Sequence, residues 1–158
     1  MNSHHTVAIG TWEGDKQQSI EYNSSIAVGI DCPRAKLRVS ILLDTIQEYQ
    51  VRYYFSDEEI SEAVNEAGLI IGARGIAYEG VLQRKPVIVV GEYGFGGLVT
   101  PDTLHEQYNN YFRGKINGIK AEYFSLERLE EEIRRGFALT FQELQMMSNQ
   151  TIRFLHNI

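Results

Sequence analysis

Apolar residues come in short blocks along the chain, separated by stretches whose apolar positions recur every three or four residues. Residues 6–12 (Thr-Val-Ala-Ile-Gly-Thr-Trp) predict a short buried strand, and the polar residues 13–23 predict a connection. Residues 25–31 predict a second strand. Pro33 then suits the first turn of a helix, and Leu37, Ile41, Leu42 and Ile46 continue it at helical spacing to about Gln50. The β-branched and aromatic run 51–55 predicts a strand. Ser56, with Glu59 three residues on, predicts a capping box for a helix that Gly68 stops. Residues 69–73 predict a buried strand, 75–84 a short helix, and 86–91 the most strongly apolar strand of the chain.

Beyond Gly91 the pattern changes. Gly94, Gly96 and Gly97 predict a flexible loop ending at Thr100-Pro101-Asp102, where Thr100 as cap and Pro101 at the first position open another helix. The polar stretch 105–120 has no readable period. Ser125-Leu126-Glu127-Arg128 predicts a capping box that starts one last helix running almost to Ile158, with a kink or break at Gly136. Strands alternating with helices of this length imply a Rossmann-like α/β fold, a doubly wound parallel sheet with helices on both faces. The expected organisation is an N-terminal strand and polar connection over 1–24, then one domain over 25–158 with a long C-terminal helix. Ligands in such sheets bind at the carboxyl ends of the strands, so the segments after Ile30, Ala73 and Val90 are where function is expected.

Composition narrows the class. With 158 residues, 43% apolar, 23% charged and a formal net charge of −6, the chain has the makeup of one globular domain. A chain of this length buries about 68–70% of its unfolded surface and needs no covalent staple. The acidic balance argues against a nucleic-acid partner, which calls for a basic patch or stripe. No apolar run reaches the length of a membrane helix, and the start Met1-Asn2-Ser3-His4-His5 has neither the basic nor the apolar region of a signal peptide. The single cysteine, Cys32, has no internal disulfide partner. These features imply a reduced, cytoplasmic protein.

Three segments carry candidate chemistry. In Gly72-Ala73-Arg74-Gly75-Ile76-Ala77-Tyr78-Glu79 a strand ends at small residues and a helix begins beside Arg74, so free backbone N–H groups and the helix dipole favour an anion there. Arg74 would be its bidentate partner, and Glu79, about one turn in, would accept both hydroxyls of a ribose. A glutamate in a first turn is also favoured by the dipole alone. Gly91-Glu92-Tyr93-Gly94-Phe95-Gly96-Gly97 allows close backbone approach to a ligand, or a plain flexible connection. Asp31-Cys32-Pro33-Arg34-Ala35-Lys36 places two cations at a helix start, where the dipole disfavours them unless they answer an anion. The histidines His4, His5, His105 and His156 show no metal-ligand spacing, and Phe137, Phe141, Leu144 and Met147 form a helical stripe expected in a core.

The run Gly72-Ala73-Arg74-Gly75-Ile76-Ala77-Tyr78-Glu79-Gly80-Val81-Leu82-Gln83-Arg84-Lys85-Pro86-Val87-Ile88-Val89-Val90-Gly91 resembles the nucleotide-sugar site of GT-B glycosyltransferases. In that family a small loop, a helix bearing a glutamate, a G-x-P-V-I strand and a glycine loop follow in this order. The resemblance spans about residues 25–140 and is firmest over 69–101. It implies the C-terminal, donor-binding half of a GT-B fold, with a nucleotide-sugar site drawn from Arg34, Lys36, Gly72, Arg74, Gly75, Tyr78, Glu79, Gly94, Phe95, Gly96 and Gly97. In that assignment Glu79 binds the ribose, and the 73–75 turn and the 94–97 loop meet the diphosphate or the sugar. Two departures stand out. The family's arginine after the strand glycine is here Ile30, which leaves Arg34 and Lys36 as offset candidates. The retaining branch's second glutamate falls at Ile71.

The resemblance therefore implies a donor domain for a UDP- or GDP-linked sugar, acting in polysaccharide or glycoconjugate synthesis. It implies no separate cofactor or metal, and an acceptor-domain protein or a second copy as partner. No residue stands out as a general base. Two alternatives remain open: half of a sugar-nucleotide epimerase, and a non-catalytic α/β interaction module whose site is degenerate.

Overall fold

The computed structural model describes residues 4–13, 16–54, 57–115 and 118–156, with side chains from Asn23 onward. Strands β1 (His4–Glu13) and β2 (Lys16–Asn23) form an antiparallel two-stranded sheet with His4 opposite Asn23. Of residues 13–23, expected to be a polar connection, Glu13 closes β1 and 16–23 are strand throughout. Only Ile20 and Tyr22 interrupt the polar residues there, which hides the period of two that marks a strand.

The main sheet follows the expected α/β alternation. Its elements are β3 (Ser25–Gly29), α1 (Pro33–Thr45), β4 (Gln50–Tyr53), α2 (Ile60–Glu66), β5 (Leu69–Gly72), α3 (Gly75–Leu82), β6 (Val87–Gly91), β7 (Gly94–Leu98), α4 (Leu104–Asn109), α5 (Leu126–Phe137) and α6 (Phe141–His156). The strand order is β4-β3-β5-β6-β7, parallel except for β7. Alternate residues of each strand enter two cores. Ile26, Val28, Leu69, Ile71, Ile88 and Val90 pack with α1 and α5, whereas Ala27, Ile70, Val87 and Val89 pack with α2, α3 and Met147 of α6. The result is a Rossmann-like sheet covered on both faces. Among the described residues no helix is long and apolar enough to cross a membrane.

The expected glycine loop is a strand. Gly94, Phe95, Gly96 and Gly97 form β7, an edge strand antiparallel to β6. Its glycines answer close contact: a Cβ on Gly96 would lie 2.9 Å from Gln107 Oε1, and one on Gly97, at φ +80°, would lie 2.7 Å from Glu132 Oε1. The outer side of this edge is sealed. Phe95 N–H donates to the Ile119 carbonyl (2.8 Å), Gln107 Nε2 to the Gly96 carbonyl (2.8 Å), and Leu98 N–H to Glu132 Oε1 (2.9 Å). An edge closed in this way cannot template another strand.

The expected last helix is two. Gly136 lies inside α5, where a Cβ would meet Leu69 Cδ1 at 2.8 Å, so it serves packing rather than a kink. The break comes at 138–140. There the Thr140 hydroxyl accepts from Glu143 N–H and the Glu143 carboxylate accepts from Thr140 N–H, a reciprocal cap that starts α6. Ser125 caps α5 by accepting from Arg128 N–H, but Arg128 has no carboxylate to return the bond. Thr100 and Thr103 exchange hydrogen bonds around a turn, and α4 begins only at Leu104, after Pro101. Helix α1 ends at Thr45 rather than near Gln50. Ser56 of the expected capping box lies outside the described residues.

Glu132 is only 3% exposed, and it joins α5 to the β7 edge while pairing with Arg135 at 2.7 Å. Glu132→Ala leaves the Leu98 N–H unsatisfied. The expected cost is about 2 kcal/mol of unfolding free energy, read as a lowered denaturation midpoint at unchanged far-ultraviolet circular dichroism.

Candidate functional site

Strand order reverses between β3 and β5, since the chain moves from β3 outward to β4 and then returns to the other side of β3. A ligand crevice is expected outside the carboxyl ends at such a switch point. The structure has a cleft of about 310 Å³ there, lined by Gly29, Asp31, Tyr54, Asp57, Ile60, Ala73, Arg74, Gly75 and Ile76.

Two glycines allow the helix to start so close to the sheet. Gly29 and Gly72 face each other across β3 and β5. A Cβ on Gly72 would lie 2.5 Å from the Gly29 carbonyl oxygen and 2.6 Å from Ile76 Cγ2, and one on Gly29 would lie 2.7 Å from Ile76 Cδ1. The absent side chains leave a slot for Ile76, which is buried there in the first turn of α3.

The chain makes that turn through Arg74, at φ 60° and ψ −125°. This conformation belongs mostly to glycine, and a side chain there costs about 1–3 kcal/mol. The Arg74 N–H donates to the Phe112 carbonyl at 2.9 Å, while its own carbonyl accepts from Tyr78 N–H, the first bond of α3. No side chain caps α3, so the first-turn N–H groups have no helical acceptor beside the exposed Arg74 guanidinium. Helix α1 also starts at this edge, from Cys32, without a side-chain cap. Positive helix ends and one arginine thus oppose the carboxylates of Asp31 and Asp57. This arrangement offers an anion a place at the Arg74 end and hydroxyl groups a place at the carboxylate end.

Of the residues picked out in the sequence, the structure brings Arg74 and Gly75 into the cleft, with Gly72 directly behind them. The others lie elsewhere. Arg34 is 80% exposed and pairs with Glu122 at 3.3 Å. Lys36 follows on α1, half-buried, and does not line the cleft. Glu79 is about 6 Å along α3 from Gly75, where its carboxylate accepts from Gln83 Nε2, and Gln83 also reaches the Ser61 carbonyl of α2. Tyr78 turns the opposite way, against Tyr108 and Phe112, with ring centroids at 6.4 and 6.3 Å. Its buried hydroxyl has no described partner. Burial, then Tyr108 and Glu79, push its pKa up and keep it protonated. Because β7 is antiparallel, it starts at the carboxyl edge with Gly94 and carries Phe95, Gly96 and Gly97 away from it. Phe95 is buried and stacked on Phe124 at 4.7 Å.

Sequence reasoning missed Tyr54 and Asp57, which reach the cleft from beyond the carboxyl end of β4, and the 110–115 segment that holds Arg74 through Phe112. Asp31 enters the sequence reading only as part of the basic loop 31–36. Among the described residues no group of three or more His, Cys, Asp or Glu is placed to hold a metal ion. No family model, no curated protein and no solved structure matches the chain.

Two arginines in left-handed conformations separate strain from function. Arg84, at φ 60°, follows α3 and closes it through Lys85 N–H to the Gly80 carbonyl, as glycine commonly does. Arg74→Gly and Arg84→Gly are each expected to raise stability by about 1 kcal/mol, measured by chemical denaturation. Only Arg74→Gly removes a cation from the cleft.

Proposed function

We propose that this domain binds a nucleotide-diphospho-sugar, as the donor half of a glycosyltransferase. The observation that carries the reading is the strained Arg74 turn at the switch point, which exposes an uncapped helix start and a guanidinium to one cleft. Such a turn suits the diphosphate: backbone N–H groups and a fork of donors meet its oxygens where negative charge grows as the sugar leaves. Asp31 and Asp57 are the carboxylates available to the ribose hydroxyls, since Glu79 lies outside the lining. The domain's contribution to transfer is positioning the donor and stabilising the leaving group. The base that activates the acceptor is assigned to a partner, either an acceptor-domain protein or a second copy.

A second reading has its own support. Glu79 and Gln83 tie α3 toward α2, and Phe95 with the glycines of β7 serves packing. Those features suit a non-catalytic interaction module equally well.

Calorimetric titration with UDP, GDP, CMP and their sugars decides between the two. The donor reading expects one nucleotide to saturate the site. Arg74→Gly should weaken it about 10- to 100-fold in a protein at least as stable as the parent, and Glu79→Ala should leave it near the parent value. No binding by folded protein at several millimolar favours the interaction module. Loss of binding in Glu79→Ala alone would move the ribose onto α3.

A further inference from the structure

On the other side of the Arg74 turn, the β6–β7 hairpin and the 110–115 segment meet in a cluster that the cleft does not use. Tyr93 N–H donates to the Arg113 carbonyl at 2.9 Å. A Cβ on Gly91 would lie 2.5 Å from that same carbonyl oxygen, and one on Gly114 would lie 2.2 Å from the Gly94 carbonyl oxygen. The two segments are in backbone contact, which sets the side chains they carry beside one another. The Arg113 guanidinium sits 5.7 Å from the Tyr93 ring centroid and 5.4 Å from that of Tyr111. It donates to the Tyr93 hydroxyl at 3.0 Å and pairs with Glu92 at 3.3 Å.

Tyr111 is the exposed member. Its side chain is 69% exposed and adds nothing to the core, while its backbone, at φ 61°, closes α4: Tyr111 N–H donates to the Tyr108 carbonyl (3.0 Å) and Phe112 N–H to the Gln107 carbonyl (2.8 Å). The next residue, Phe112, is also left-handed at φ 54°, but it is buried and its carbonyl holds Arg74. Two exposed aromatic rings, Tyr93 and Tyr111, set against one guanidinium offer a ligand a ready platform. Glu92 offsets the charge of Arg113, so the cluster suits a neutral partner better than an anion. An aromatic face for C–H groups, flanked by a carboxylate acceptor and a guanidinium donor, matches a ring with one apolar face and a rim of hydroxyls.

We propose that Glu92, Tyr93, Tyr111 and Arg113 form a saccharide subsite that holds a pyranose ring beside the Arg74 turn. The link from Phe112 to Arg74 places this subsite next to the diphosphate position, so its occupant is either the donor sugar or a sugar of the acceptor. That placement rests on the nucleotide-sugar reading; the pyranose chemistry of the cluster does not.

The experiment compares parent protein, Tyr111→Asn and Tyr111→Phe. Asparagine tolerates the left-handed backbone, so its variant is expected to melt no lower than the parent. Three probes are used: UDP and GDP, their glucose and mannose conjugates, and methyl glycosides of glucose, galactose and mannose followed by saturation-transfer NMR. Saccharide binding should fall about tenfold in Tyr111→Asn and stay near the parent value in Tyr111→Phe, with sugar-free nucleotide binding the same in all three. Gain from nucleotide-linked sugar alone identifies the donor sugar, and saturation by a free glycoside identifies the acceptor. Equal saccharide binding by parent and Tyr111→Asn, or none in any arm, overturns the subsite whatever the nucleotides do. Loss of sugar-free nucleotide binding in Tyr111→Asn also overturns it, by assigning the ring to a base. Glycoside binding without nucleotide binding keeps the subsite and removes the donor reading.

Discussion

The hydrogen bond from Arg74 N–H to the Phe112 carbonyl holds the turn between β5 and α3 at the carboxyl edge of the sheet. A peptide group at φ 60° and ψ −125° does not persist on its own, because the surroundings must over-determine it. Here they do so from three sides. The Gly29–Gly72 pair admits Ile76 into the sheet, α3 begins at once from the Arg74 carbonyl, and the 110–115 segment supplies the acceptor that the turned N–H requires. Removing any one of these would leave the turn less over-determined.

The same constraint divides the edge into two chemically different halves. On the β3–β4 side lie Asp31, Asp57, Tyr54 and the uncapped starts of α1 and α3. On the β6–β7 side lies the neutralised pair of Glu92 and Arg113 between two tyrosine rings. In the nucleotide-sugar reading proposed above, an elongated ligand with a charged centre and hydroxyl-bearing ends would follow that order, with the charge over Arg74. At the far edge the carboxylate of Glu132, the Gln107 amide and the Ile119 carbonyl close β7 against further pairing.

Where one residue type had one physical use, the sequence could be read directly. The apolar blocks at 25–29, 69–72 and 87–91 have no other way to be buried than as inner strands, and Pro33 and Ser125 mark helix starts by their own chemistry. The turn at Arg74 was legible for the same reason, as a strand, a small residue and a helix in immediate succession. Glycine was the source of the main error, since it serves a flexible loop and a crowded edge strand alike; only Gln107, Glu132 and Ile119, distant in sequence, decide between them at β7. The α5–α6 break was written in Thr140-Phe141-Gln142-Glu143, a capping box hidden within a continuous helical period. The Arg113 cluster had no local signature at all, because its members meet through the β6–β7 hairpin and a segment without periodicity.

The central claim is that the Arg74 turn and the first turn of α3 bind the diphosphate of a nucleotide. Its most direct measurement is a nitrogen–proton correlation spectrum of the labelled protein during titration with UDP and GDP. Diphosphate binding at the turn gives saturable shifts of the Gly75, Ile76 and Ala77 amides and of the Arg74 side-chain Nε–H, with the hairpin residues 4–23 unmoved. Saturable shifts confined to other residues, with those four signals unchanged, would contradict it.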